Sequence, residues 1–413
     1  MHAPPPPPTG ERTAPGHAPM TFREFVLVVA GLMALNALAI DVMIPALQEI
    51  GATLGVEDEN RRQAILPVYL VGFGLGQLLV GSISDRFGRR PVLLWGLALY
   101  VAAAILCAVA PSFEALLAGR FAQGIASAAP RVVTTSIVRD CYSGRRMASV
   151  TSLAMTVFLA VPVIAPSLGQ AILLLAPWQA IFLVLAVYGL AMMAWTGWRL
   201  PETLPPERRR SIAPRAIAAA AREVVTTRAT FGYALAGGFM FAAMFGFIVS
   251  AEQIFTEVYG LGIWFPLAFA GAAAAMSVSA LVNARLVGRI GMRRLSHGAV
   301  AAFVAMAAAL LVLARLDALT FPLFMALLAG TMMLVGLIFA NFNALAMEPM
   351  GHIAGTAASV FGSTTTLMAS LIGGALGQAY DGTLVPLATG YLTLGLATLC
   401  AIAFAEGGRL FRR

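Results

Sequence analysis

From Phe22 onward the chain alternates long apolar runs with short polar breaks. Each run is about 20 residues or more, enough to cross the hydrocarbon core of a bilayer as a helix. The runs fall near 22–45, 62–82, 91–110, 115–138, 147–175 and 178–199. Beyond a polar stretch at 201–228 they resume near 229–254, 262–284, 295–314, 320–347, 354–380 and 384–405. The pattern predicts an all-α integral membrane protein of twelve spans. Lipid offers no partner to an unpaired backbone group, so the segments must be helices or a closed barrel, and the short alternation of barrel strands is missing.

Composition strengthens that picture, with 60% hydrophobic and 11% charged residues. Soluble domains carry about a quarter charged residues, and one this apolar would expose aggregating patches. Every one of the 27 basic residues is arginine. Without lysine there is no Walker-type phosphate-binding lysine and no Schiff base, which excludes a pump driven by its own ATPase module. Cys107, Cys141 and Cys400 are odd in number and far apart, unlike a disulfide framework or a zinc site. No paired carboxylates, metal cluster or nucleophile–base set suggests an enzyme.

The net charge of +8 is distributed with a clear sidedness. Arginines crowd the loops after spans 2, 4 and 8, the connection after span 6 and both ends of the chain. The alternate loops hold only Arg61, Arg62 and Arg315, beside Glu49, Glu57, Asp58, Glu59 and Asp317. Arginine-rich loops stay in the cytoplasm, so both termini are expected there, in a bacterial inner membrane. The surplus is thus a topology signal, and no nucleic-acid partner is expected. The expected layout is a disordered proline-rich tail at 1–21, a six-helix bundle at 22–200, a cytoplasmic linker at 201–228 with an amphipathic helix near Ile212 to Val225, a second bundle at 229–405 and a tail at 406–413. No short apolar core with a small-residue cleavage site precedes span 1, so a cleaved signal peptide is not expected.

The linker divides the chain near its middle, and the two parts resemble each other. Ala165-Pro-Ser-Leu-Gly-Gln170 aligns with Gly373-Gly-Ala-Leu-Gly-Gln378, 208 positions later, and Arg86-Phe-Gly88 aligns with Arg289-Ile-Gly291, 203 later. Six plus six spans in the same sense is the parallel-repeat plan of many secondary transporters.

The densest motif is Gly81-Ser-Ile-Ser-Asp85-Arg86-Phe-Gly88-Arg89-Arg90-Pro91, between spans 2 and 3. Gly81 permits close helix contact and Gly88 a turn too tight for a side chain. Asp85, an acid in a basic loop, suits either a pair with Arg139 or a helix N-terminal cap. This loop resembles the signature of the major facilitator superfamily. Within it the chain resembles the Bcr/CflA group of drug:proton antiporters, through Ile40-Asp41-Val-Met-Ile-Pro45-Ala-Leu47 in span 1, Arg120-Phe-Ala-Gln123-Gly124 in span 4 and Pro162, Ala165, Pro166 and Gly169 in span 5. The antiporter pattern in span 5 usually reads Gly-Pro and ends in Gly-Gly, where this chain has Ala165-Pro166 and Gly169-Gln170. Leu200-Pro-Glu202-Thr203 is common to sugar carriers and drug antiporters and does not separate them.

Ionisable groups within a membrane are costly and usually functional. Here they are Asp41 in span 1, Arg120 and Arg131 in span 4 and Glu252 in span 7, with Glu348 at the end of span 10. The resemblance implies that spans 1, 4, 7 and 10 line a central cavity, and the charges fall on that set. Asp41 is expected to pair with Arg120, with Glu252 facing them, or lying at the water surface. Arg131 lies about 16 Å deeper than Arg120, as a substrate contact or as the partner of Glu348. Asn36, Met240, Phe241, Phe245 and Phe342 are expected to complete the substrate cavity. Arginine does not titrate, lysine is absent, and His2, His17, His297 and His352 lie outside the span interiors. The proton carrier is therefore expected to be a carboxylate, Asp41 first and Glu252 second. Desolvation and a neighbouring guanidinium pull such a group in opposite directions.

The expected function is proton-driven export of small amphipathic compounds by alternating access. It would need no cofactor and would act as a monomer, with proton-coupled uptake as the alternative. Asp85, Arg89 and Arg139, with Gly81, Arg86, Gly88 and Arg90, would form a cytoplasmic latch, and Pro162 and Pro166 would bend span 5 at a seam between the halves.

Overall fold

A computed structural model describes residues 20–209 and 214–411. Most of the expected disordered tail, with His2 and His17, and Arg412 and Arg413 lie outside the described residues. The spanning helices are span 1 (Phe22–Asp41), span 2 (Ile65–Phe87), span 3 (Arg89–Ala108), span 4 (Phe113–Cys141), span 5 (Gly144–Leu173) and span 6 (Gln179–Arg199). They continue with span 7 (Arg228–Gln253, extended by a wide π turn Ile254–Val258), span 8 (Phe265–Ile290), span 9 (Met292–Arg315) and span 10 (Phe321–Met347). Span 11 runs from Ala354 to Gln378 through a π turn at Ala369–Gly373, and span 12 is Val385–Ala405. No strand occurs among the described residues.

Local chemistry sets several of these boundaries. Thr21 and Ser112 cap spans 1 and 4 by accepting the amides of Glu24 (3.3 Å) and Ala115 (3.2 Å), which satisfies donors that a helix start leaves open. Spans 8, 10 and 12 carry a proline in the first turn, where the missing N–H costs nothing. The polar connection forms a helix at Pro214–Thr226, which packs against span 11 with Val224 buried.

Among the described residues, eleven helices are long and apolar enough to cross a membrane. Span 4 falls outside that set although it has 29 residues. It carries Arg120, Arg131 and Arg139: Arg120 is buried against protein with Gln123, Ser127 and Thr134, whereas Arg131 is half-buried and Arg139 exposed.

Helix packing repeats between the two parts. Span 4 packs on spans 1, 2 and 3, span 1 on spans 5 and 6, and span 3 on span 6. Span 10 likewise packs on spans 7, 8 and 9, span 7 on spans 11 and 12, and span 9 on span 12. Contacts between the parts are themselves paired, span 2 with span 11 and span 5 with span 8. The two glycines aligned by sequence share a backbone shape: Gly88 at φ 103°, ψ 159° and Gly291 at φ 87°, ψ 151°. Each ends one helix and starts the next in a region closed to other residues.

Candidate functional site

The polar interior lies in the N-terminal half. Arg120, fully buried, donates to Gln123 Oε1 (2.8 Å), to the main-chain carbonyl of Ala39 in span 1 (3.0 Å) and to that of Ile65 (3.5 Å). Its guanidinium lies 4.4 Å from the Tyr69 ring centroid and 5.8 Å from that of Phe182. Tyr69 in turn donates to Asn36 Oδ1 (2.9 Å), which also accepts from Ser127 (3.4 Å). Spans 1, 2 and 4 are thus tied through one guanidinium and one amide. Such bonds are strong where water is excluded.

Asp41 is the last residue of span 1 and is 4% exposed. Among the described residues it has neither an ionic nor a hydrogen-bond partner. The expected Asp41–Arg120 pair does not form. Arg120 does reach the last turn of span 1, but it spends its donors on the Ala39 carbonyl, and the Asp41 carboxyl is left alone. A solitary buried carboxyl couples its charge to the access of water.

Glu252 does not face this pair either. It is 2% exposed, so it is buried rather than at a water surface, and lies near the end of span 7, 3.8 Å from Arg62 Nη2. Arg62 also contacts Glu257 (3.2 Å), and Thr256 donates to Glu252 Oε1 (3.2 Å). This ion pair joins the two halves, at the face opposite the arginine-rich loops. Asn60 strengthens the same closure: it donates to the Gln378 (3.2 Å) and Tyr380 (2.8 Å) carbonyls and accepts from Gln253 (2.9 Å) and Gln378 (2.6 Å). Yet Arg62 Nε, both amide atoms of Gln63, Glu252 Oε2 and Gln253 Oε1 are buried without a hydrogen-bond partner. Each such atom costs about 1–3 kcal/mol, so the closure is specific but incompletely satisfied. In the sequence Arg62 adds only to the charge of an arginine-poor loop. Its signal was that an arginine pair beside a span on the arginine-poor face is an outlier.

On the arginine-rich face the ion pairs stay within one half. Arg89 binds Asp85 (2.6 Å) and Asp140 (3.1 Å). Asp85 neither caps a helix nor pairs with Arg139. The cap on span 3 is Glu202, which accepts from the amides of Arg89 (2.9 Å) and Arg90 (3.3 Å), so the segment judged uninformative in sequence has a definite role. Arg90 also donates to the Gly197 carbonyl and Arg86 lies over the Phe87 ring (5.4 Å). Arg139 is exposed beside span 11 of the other half, where a Cβ on Gly355 would stand 3.7 Å from its Nη1. A Cβ on Gly81 would stand 3.4 Å from Ser359 Oγ of span 11.

The expected cavity wall needs correction. Met240, Phe245 and Phe342 are packed inside the C-terminal half at 0–1% exposure, because helix rotation turns them away from the opening. Phe241 is half-buried against Phe339 (5.5 Å). Glu348 lies at the surface, paired with Arg293 (2.9 Å), and is not a partner of Arg131. Arg131 is half-buried, with its guanidinium 5.5 Å from the Phe158 ring centroid of span 5.

Span 5 continues as a helix through Pro162 and Pro166, with Ala165 buried, and packs on spans 1 and 8. Gly169 lies directly against the Val42 carbonyl, with no room for a Cβ. The matching stretch of span 11 has no proline and carries its π turn there.

His297 also departs from expectation: it is fully buried in the second turn of span 9. Its Nδ1 accepts the Phe411 amide (3.2 Å) and its Nε2 meets Tyr233 Oη (3.1 Å), which donates to Glu406 (2.6 Å). Burial opposes ionisation of Glu406, but Tyr233 and Arg293 outweigh it and hold that carboxyl below its usual range.

Two six-helix halves, a shared interface and charged groups confined to a few spans define a multi-pass membrane transporter. The Major Facilitator Superfamily model matches residues 29–374, and the chain belongs to that family. It is 31% identical to the uncharacterized MFS-type transporter YdgK of Bacillus subtilis, over 91% of this chain and 93% of that one. It is 28% identical to the bicyclomycin resistance protein homolog of Haemophilus influenzae, over 92% and 94% respectively. Among solved structures, the D-xylose-proton symporter superposes with a TM-score of 0.74 at 12% identity, over 95% of this chain and 98% of that one, which speaks for the fold alone.

Proposed function

We propose that the protein exports small amphipathic compounds across a bacterial cytoplasmic membrane in exchange for protons, acting as a monomer without a cofactor. Export is supported by the near full-length likeness to a bicyclomycin resistance protein homolog. Proton coupling rests on one observation, the buried carboxyl of Asp41, which has no partner among the described residues. The arginine-rich face is the cytoplasmic one, with both termini on it.

In this reading the described conformation is closed to the periplasm by Asn60, Arg62, Glu252 and Glu257. Opening outward must break those contacts and let periplasmic water reach the end of span 1. Asp41 takes its proton there, while the Arg89–Asp85 pair stays in place and, with Arg139, tightens the cytoplasmic side against span 11. Glu252 gives a second protonatable group within the periplasmic closure.

The test is accumulation of a compound panel in cells with and without the protein, with and without an uncoupler. Lower accumulation that the uncoupler abolishes supports export, whereas higher accumulation shows uptake. Asp41→Asn should abolish gradient-driven transport while the protein still inserts; wild-type coupling in that variant would remove Asp41 from the mechanism.

A further inference from the structure

Span 4 carries a feature that proton coupling does not use. Arg131, Thr135 and Arg139 follow one another at four-residue spacing, so they share one side of the helix. All three are half-buried or exposed, while Val133, Thr134, Ile137 and Val138 beside them are buried. Arg131 stands about 27 Å along the helix from Phe113, somewhat past the membrane middle. A guanidinium at that depth does not face lipid. Arg139, on the same side of span 4, lies beside Gly355 of span 11, so this side turns toward the other half.

The surroundings of Arg131 lack an anion. Among the described residues no carboxylate pairs with Arg131 or Arg139. The nearest acids on this face are committed elsewhere, Asp85 and Asp140 to Arg89 and Glu348 to Arg293. Phe158 takes one face of the Arg131 guanidinium. A phenyl ring offers no lone-pair acceptor to the guanidinium N–H groups, and their planar fork matches the two oxygens of a carboxylate or similar oxyanion. Thr135 does not compete, since its hydroxyl donates to the Arg131 main-chain carbonyl (3.2 Å). Arg139, two turns toward the arginine-rich face, extends the positive strip along the same side.

We propose that Arg131 is the recognition residue for an anionic headgroup, so that this carrier takes amphipathic carboxylates or comparable oxyanions in preference to cations. An aromatic or apolar body then lies toward Phe158, and Arg139 draws the anion in from the cytoplasmic side. The proposal rests on the export reading for its direction of transport but not for the binding site.

The test uses three probes of one shape: a coumarin carboxylate, its neutral ethyl ester and a trimethylammonium analogue. Flux is measured with the full chain in proteoliposomes under an imposed pH gradient, and binding by thermal shift in detergent. Wild type should prefer the carboxylate in both. Arg131→Gln should lower carboxylate binding and flux by about tenfold or more, the size of a charge-assisted pair, and leave the ester within about twofold. Arg131→Lys, which keeps the charge without the fork, should retain an intermediate preference. A wild-type preference for the ammonium probe, or an equal loss of all three in both variants, would overturn the proposal. Carboxylate-selective binding that is lost in Arg131→Gln, with no gradient-driven flux of any probe, would keep the site and reject export.

Discussion

The two halves pair their helices in the same way but hold different chemistry. In the N-terminal half, Asp41, Arg120 and Arg131 lie inside the spans, and Arg120 alone of the three joins an interior of Asn36, Tyr69, Gln123 and Ser127. In the C-terminal half the interior lacks charge and is richly aromatic, with Phe245, Phe247, Phe255, Phe269 and Phe342 packed together or nearby, and its polar contacts are neutral, as where Asn341 donates to Asn283 (2.9 Å). Its ionisable groups sit at the two ends, Glu252 on one face and His297 with Glu406 on the other. The repeat thus fixes a scaffold, and chemistry is placed on one copy.

The strongest way to test that contrast is at the close packing of span 4 and its counterpart. Gly124 lies against the main-chain carbonyl of Tyr69, whereas Gly336 lies against the Ser279 side chain. The Tyr69 backbone cannot yield, whereas the Ser279 hydroxyl can rotate away and leaves its Cβ, 2.9 Å off, to shift by a few tenths of an ångström. Gly124→Ala should cost about 3 kcal/mol or more and Gly336→Ala about 1 kcal/mol, read as thermal stability of the detergent-solubilised protein. Equal losses would mean the two seams are equally tight.

Arg120 comes next. Arg120→Ala leaves the Gln123 and Ala39 acceptors without a donor, at about 1–3 kcal/mol each, and should abolish transport. Arg120→Lys should recover part of the stability but little transport, because one ammonium cannot reproduce the planar fork. Full activity in Arg120→Lys would show that only its charge matters.

A smaller effect is expected at the closure joining the halves. Arg62→Gln removes both ionic contacts but leaves the Asn60 hydrogen bonds. A cysteine introduced at the buried Gln63 should then react with an impermeant maleimide about fivefold faster, on the order of 1 kcal/mol in the closed population. An unchanged rate would assign the closure to Asn60 alone.

The smallest concerns Glu406. Its carboxyl is held below the ordinary range, so the stability it contributes is present above the unfolded value near ~4.3 and is lost as pH falls through the lower folded value. Glu406→Gln should remove that acid-side loss and cost about 1 kcal/mol at neutral pH, seen in unfolding scans across pH. A variant that keeps the wild-type acid dependence would place the titrating group elsewhere.

Much of the scaffold was legible in the chain. Apolar run length located the spans, the arginine pattern separated two faces, and the Arg86-Phe-Gly88 and Arg289-Ile-Gly291 repeats foretold two glycine turns of one shape. The candidate site was legible only as a set of spans. Asp41, Arg120 and Arg131 were identified as buried charges, but their partners were not. The pairing with Arg120 failed because its acceptor is the Ala39 carbonyl, and a backbone group leaves no trace in a side-chain pattern. Met240, Phe245 and Phe342 failed for another reason, since an apolar residue on an all-apolar helix gives no clue to which side faces an opening.

The sequence by itself determined the number of spans, the arginine-rich face and the few helices on which charge is buried, because those follow from length and composition along one dimension. The tertiary structure decided that Arg62 meets Glu252 across the halves, that Glu202 caps span 3, that Asp41 stands alone and that Arg131 faces Phe158. Those depend on how each helix is rotated about its axis and which distant segment it meets, and packing alone fixes that.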